Sequence, residues 1–203
     1  YLATYFEENV KEASAAWKEL EEAAGSRQPA AGLRTAANRY LKALPDYESC
    51  PGEEAQMLAV RDMSQEILSS LGYGDAVSAK IELGDDVEIS LFHEEPEKDG
   101  KPLLWVLLSN CKDDDTDILG GKVFDPEALS TPPDAADNET LAGRLFFNAA
   151  ESPRFVMFMS MTEIALLDRN KWSEKRCMLF DLKTIFSRKE ETTLRAVATL
   201  LCK

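Results

Sequence analysis

The chain has 203 residues of which 44% are hydrophobic, enough for one large domain or for a helical subdomain joined to a mixed one. Thirty-seven acidic against 23 basic residues give a net charge of -14, a field that repels phosphate backbones and membrane surfaces and reads first as a solubilising surface, second as a face for a basic partner. No apolar run approaches the roughly 20 residues needed to cross a bilayer, and the charged N-terminus is not signal-like, so the sequence predicts a soluble, cytoplasmic protein without a membrane partner.

In the first third, Leu2, Phe6, Val10, Ala13, Trp17 and Leu20 recur at three- and four-residue spacing and predict a helix over residues 1–23, ended by Gly25 and Ser26. A second helix is predicted from about Pro29 to Leu44, with Leu33, Ala37, Tyr40, Leu41 and Leu44 inward, until "LPDYESCPGE" breaks the pattern. A third runs from about Glu53 to Leu71, with Leu58, Met63, Ile67 and Leu71 inward and "GYG" as its stop. Residues 1–74 are therefore read as a helical N-terminal section.

From residue 75 onward the period changes. "AVSAKIEL", "DVEISLF" and "KPLLWVLLSN" predict three strands of a meander, the last two flanking "HEEPEKDG", whose Pro96 and Asp99-Gly100 suit a hairpin connection. The third run lacks polar alternation, as expected of a central strand covered on both faces, with Trp105 as a core anchor. Residues 112–138 are rich in Asp, Pro and Gly and read as a long surface loop with one short element.

Asn138 or Thr140 is the expected cap of a helix through Ala150, with Leu141, Leu145 and Phe146 inward. "RFVMFMS", "EIALLDR" and "CMLFDL" predict three more strands, and "FSRKEETTLRAVATLLCK" a final helix. Leu194, Val197, Leu200 and Leu201 form a hydrophobic face reaching Lys203 without a visible cap, which suggests an exposed face and a chain truncated at its C-terminus. The whole is a mixed α/β chain, with residues 75–203 packed onto the helical section as one domain.

Few residues offer chemistry. Cys50, Cys111, Cys177 and Cys202 lack zinc-ligand spacing and are read as reduced thiols. His93 is the single histidine and reads as a hydrogen-bonded or surface residue, since no nucleophile elbow accompanies it; no phosphate-cradling glycine loop is present either. The carboxylates Asp85, Asp86 and Glu88 enter a strand and are candidate Mg²⁺ ligands, with turn formation after Gly84 as the structural alternative for the two aspartates. Asp113, Asp114, Asp115 and Asp117 lack calcium-loop spacing and are read as solvated.

One stretch is more distinctive. Residues 152–201 contain Leu167, Asp168, Arg169 and Trp172 as an L-x-D-R-x-x-W turn, then Phe180, Asp181 and Leu182 at a strand end, then Ser187, Arg188, Lys189 and Glu190 opening a helix. In this order they resemble the N-terminal region of type IIG restriction-modification proteins and related phage-defence adenine-specific DNA methyltransferases. The resemblance implies a restriction-endonuclease-like fold whose partners are downstream domains of the same polypeptide, with DNA engaged only through that parent protein. S-adenosylmethionine would belong to the downstream methyltransferase, and this segment would hold no cofactor. A PD-(D/E)xK core would put Asp86 or Glu88 at its metal-binding Asp, yet the next strand reads Leu107, Leu108, Ser109, Asn110, without the carboxylate or lysine. The expectation is thus a degenerate, non-catalytic domain. Two alternatives remain: a residual Mg²⁺-dependent nuclease using Asp86, Glu88 and Glu66 with Lys101 or Lys112 as the lysine, or an acidic DNA-mimic or protein-interaction module.

Overall fold

The computed structural model describes residues 15–16, 29–83, 87–111 and 117–203. The helix expected over residues 1–23 lies outside the described residues except for Ala15 and Ala16, which are helical. Helix α1 (Pro29–Ser49) opens on a proline, whose fixed φ suits a first turn, and buries Leu33, Ala36, Ala37, Tyr40 and Leu44. It does not stop at Leu44 as expected but continues through Pro45. Proline removes one intrahelical donor, and here the last turn regains a bond when Ser49 Oγ donates to the Pro45 carbonyl at 2.8 Å.

Helix α2 (Glu53–Ser70) carries Glu53 and Glu54 in its first turn, where the helix dipole favours them, and ends where Gly72 takes a φ of 94°. Its buried stripe is Met57, Val60, Met63, Ile67 and Leu68; Leu58, expected inward, lies about 100° round the helix from Met57 and is exposed. The two helices approach closely at Gly32, where an added Cβ would sit 2.9 Å from the Ser70 carbonyl oxygen.

The predicted three-strand meander is not what forms. Strands β1 (Ala79–Glu82) and β2 (Glu88–Leu91) pair only with each other, as an antiparallel ribbon. The chain then re-pairs at Phe92, whose N–H donates to the Val106 carbonyl at 2.8 Å, so the polar stretch expected as a connection becomes strand β3 (His93–Pro96) against β4 (Pro102–Asn110). The hairpin itself turns where expected, at Glu97 to Gly100, with Gly100 at a φ of 87°.

The main sheet runs β3-β4-β6-β7-β8, where β6 is Phe155–Met159, β7 Glu163–Asp168 and β8 Cys177–Asp181. Only β4 and β6 are parallel, because the chain crosses over between them through helix α3 (Asn138–Phe147). β4 is indeed interior and buried on both faces. The segment expected as a surface loop is partly core: Ile118, Val123 and Phe124 are buried, and β5 (Lys122–Val123) pairs with the end of β4. Asp137, rather than Asn138 or Thr140, caps α3 by accepting the Thr140 N–H at 2.7 Å. Asn138 is instead fully buried, donating to Ser109 Oγ at 2.7 Å and to the Ile118 carbonyl at 2.6 Å.

After β7 the short helix α4 (Arg169–Trp172) turns the chain into β8. The single final helix expected is two, α5 (Leu182–Arg188) and α6 (Glu191–Leu201), separated by Lys189 at a φ of 50°. The α6 face expected to be exposed is covered: Leu194, Val197 and Leu201 are buried in contact with α1, and only Leu200 stays partly open. One apolar core lies between the sheet and α1, α2, α5 and α6; the second lies on the opposite face under α3, α4 and the β1–β2 ribbon. Among the described residues no helix is long and apolar enough to cross a membrane.

Candidate functional site

Only some of the predicted metal ligands fall among the described residues. Asp85 and Asp86 lie outside the described residues, as do Lys112 and Asp113 to Asp115. Glu88 stands on the β1–β2 ribbon, outside the main sheet, and accepts from Lys80 Nζ at 2.7 Å across the register that pairs Glu82 with Glu88. Glu66 accepts from Arg39 on α1 at 2.5 Å, and Lys101 pairs with Asp99 at 3.0 Å beyond the hairpin turn. Glu88, Glu66 and Lys101 are thus each held by an opposite charge, in three separate parts of the fold. Among the described residues no three His, Cys, Asp or Glu side chains gather closely enough to hold a metal ion.

The residues carrying the L-x-D-R-x-x-W and F-D-L resemblance serve as joints. Asp168 ends β7, accepts the Asn170 N–H at 2.9 Å to cap α4, and takes two bonds from the Arg154 guanidinium at 2.9 and 3.0 Å. That guanidinium holds the Asp168 carboxyl below the usual carboxylate range. Arg169 donates to the Ser152 carbonyl at 2.9 Å, and Trp172 is buried 6.3 Å from the Phe146 ring, with Lys175 over its own ring at 4.8 Å. Asp181 repeats the device at the next strand end, accepting the Thr184 N–H at 2.8 Å to cap α5.

No family model, curated protein or solved structure matches the chain. Function must therefore be read from the geometry and from the motif resemblance.

An apolar groove of about 290 Å³ lies on the sheet face where α6 ends. Its floor is Leu104, Phe155, Met157, Leu166 and Met178, its wall Leu200 and Cys202, and its polar rim Tyr73, Glu95 and Lys203, the last two paired at 2.9 Å. Behind the rim, His93 is buried and its Nδ1 accepts the Val77 N–H at 3.1 Å, so a neutral ring carries its hydrogen on Nε2. Nε2 lies 3.5 Å from a Glu95 carboxylate oxygen without making a good hydrogen bond. Burial lowers the His93 pKa below its ordinary value despite Glu95, and burial raises the Cys202 thiol and the Tyr73 hydroxyl. At neutral pH the thiol and phenol keep their protons and the imidazole stays neutral. The groove suits an apolar group more than bond-making chemistry.

Sequence reasoning did not find the groove. Leu104, Met157 and Met178 were indistinguishable from core, and Glu95 read as part of a turn. The one available signal was "CMLF", an apolar run without alternation in a strand that proves to be at the sheet edge.

Proposed function

We propose that this chain is a non-catalytic, restriction-endonuclease-like domain of a DNA restriction-modification or adenine-specific DNA methyltransferase protein, scaffolding the parts that act on DNA. The observation carrying the proposal is the use made of its most distinctive residues: Asp168, Arg169, Trp172 and Asp181 cap, brace and fill strand-to-helix joints. A motif spent on joints fixes how one element leads into the next, which is what a positioning domain requires. The mixed sheet with helices on both faces is compatible with a nuclease-derived ancestry. The nuclease alternative draws less support, because Glu88 is neutralised by Lys80 on a ribbon apart from the main sheet.

Two arms test the proposal. Supercoiled plasmid incubated with the purified chain and Mg²⁺ or Mn²⁺ should remain intact; nicking lost in Glu88→Ala would establish the nuclease instead. Adenine methylation should fall in cells expressing the complete coding region with residues 1–203 deleted. Methylation unchanged by that deletion would refute the scaffold role.

A further inference from the structure

The two edges of the main sheet are treated differently. β3 carries Glu94, Glu95 and Pro96 and a register irregularity between Glu95 and Pro96, all of which discourage another strand from adding. β8 has none of these. Between Cys177 and Phe180 it has no charge and no proline, it leaves Met178 39% and Leu179 47% exposed, and among the described residues no strand pairs with its outer side. Leu182 N–H donates to the Thr162 carbonyl on the β7 side at 2.8 Å, so by ladder alternation Cys177, Leu179 and Asp181 turn their peptide groups outward.

We infer that β8 is a self-association edge, on which β8 of a second copy adds antiparallel about a two-fold axis at Leu179. Side-chain alternation requires an axis perpendicular to the sheet to pass through a residue position, and Leu179 is the midpoint of Cys177–Asp181, so this register overlaps both strands over their full length. It sets Leu179 opposite Leu179 of the second copy on one face, and Met178, at the mouth of the groove, opposite Phe180 of the second copy on the other. At the ends, Arg176, 71% exposed and paired with the exposed Glu174 of its own chain at 3.0 Å, lies just beyond Cys177, which faces Asp181 of the second copy, so the guanidinium can be shared between the two carboxylates. The net charge of -14 makes two copies repel, and the two-fold brings the basic segment 169–189, with seven basic and two acidic side chains, beside its own copy, so association should strengthen as salt screens both repulsions.

The test is sedimentation equilibrium of the 203-residue chain under reducing conditions, with a concentration series of amide exchange. The mass should double between ~1 µM and ~1 mM, and Leu179→Lys, which sets two ammonium groups face to face, should weaken association at least ~10-fold. Phe147→Lys, at an exposed site elsewhere, should associate like the wild type. Exchange at Cys177, Leu179 and Asp181 should slow with concentration while Met178 and Phe180 stay constant, an arm that needs no variant. A single-copy mass at the highest concentration, or a dimer whose outward amides gain no protection, would overturn the inference.

Discussion

His93 can be protonated only by losing a bond, since its Nδ1 already accepts the Val77 N–H and a proton there would face that donor. Burial and Lys203 disfavour the charged ring, while Glu95 and Glu94 favour it, and the net effect is a folded-state pKa below the ordinary 6.5. A lowered pKa means the unfolded chain binds the proton more readily. The stabilisation is therefore complete above about pH 6.5 and is lost as pH falls below it through the depressed value. The melting temperature should drop more steeply from pH 7.5 to 5 in the wild type than in His93→Gln, whose amide oxygen can accept the same N–H; parallel curves would refute this. Asn138→Ala should cost about 1–3 kcal/mol in urea unfolding, because it strips donors from Ser109 Oγ and the Ile118 carbonyl inside the core. Neither role was legible in the sequence. A lone histidine and a residue next to a helix cap show nothing of what lies opposite them, just as Glu88 shows nothing of Lys80 until the ribbon register is known.

Helix and strand identities were far more legible than their pairing. β6, β7 and β8 formed where the apolar runs stood, because strand length and side-chain content are local properties. The meander failed because pairing is not local: the second run pairs with the first as a separate ribbon as far as Leu91, and the charged connection after Phe92 joins the main sheet in its place. Gly32 and Gly143, both helical, make a paired prediction at this scale. Gly32→Ala forces a methyl against the Ser70 carbonyl where α1 and α2 touch and should destabilise by about 1–3 kcal/mol. Gly143→Ala on α3 meets nothing closer than Trp172 Nε1 at 3.9 Å and should stabilise by about 0.5–1 kcal/mol through helix propensity. Chemical denaturation of both variants checks the opposite signs.

Across the whole molecule, α1 and α2 share one apolar core with β4, β6, β7, α5 and α6, so the helical section has no separate interior. Unfolding followed by tryptophan fluorescence and by far-ultraviolet circular dichroism should therefore give coincident transitions, and a helical signal lost first would contradict a shared core. Composition and periodicity made the mixed α/β class legible. They misjudged α6, whose apolar face read as exposed because its cover, α1, lies about 150 residues away in sequence. Arg34 on α1 pairs with Glu191 on α6, and Lys203 N–H donates to the Leu71 carbonyl at 3.2 Å. During synthesis on the ribosome, α1 and α2 emerge early and must keep their oily sides open to the cell until α6 leaves the exit tunnel. Chaperone demand for this protein is thus set by the time needed to translate the residues between them.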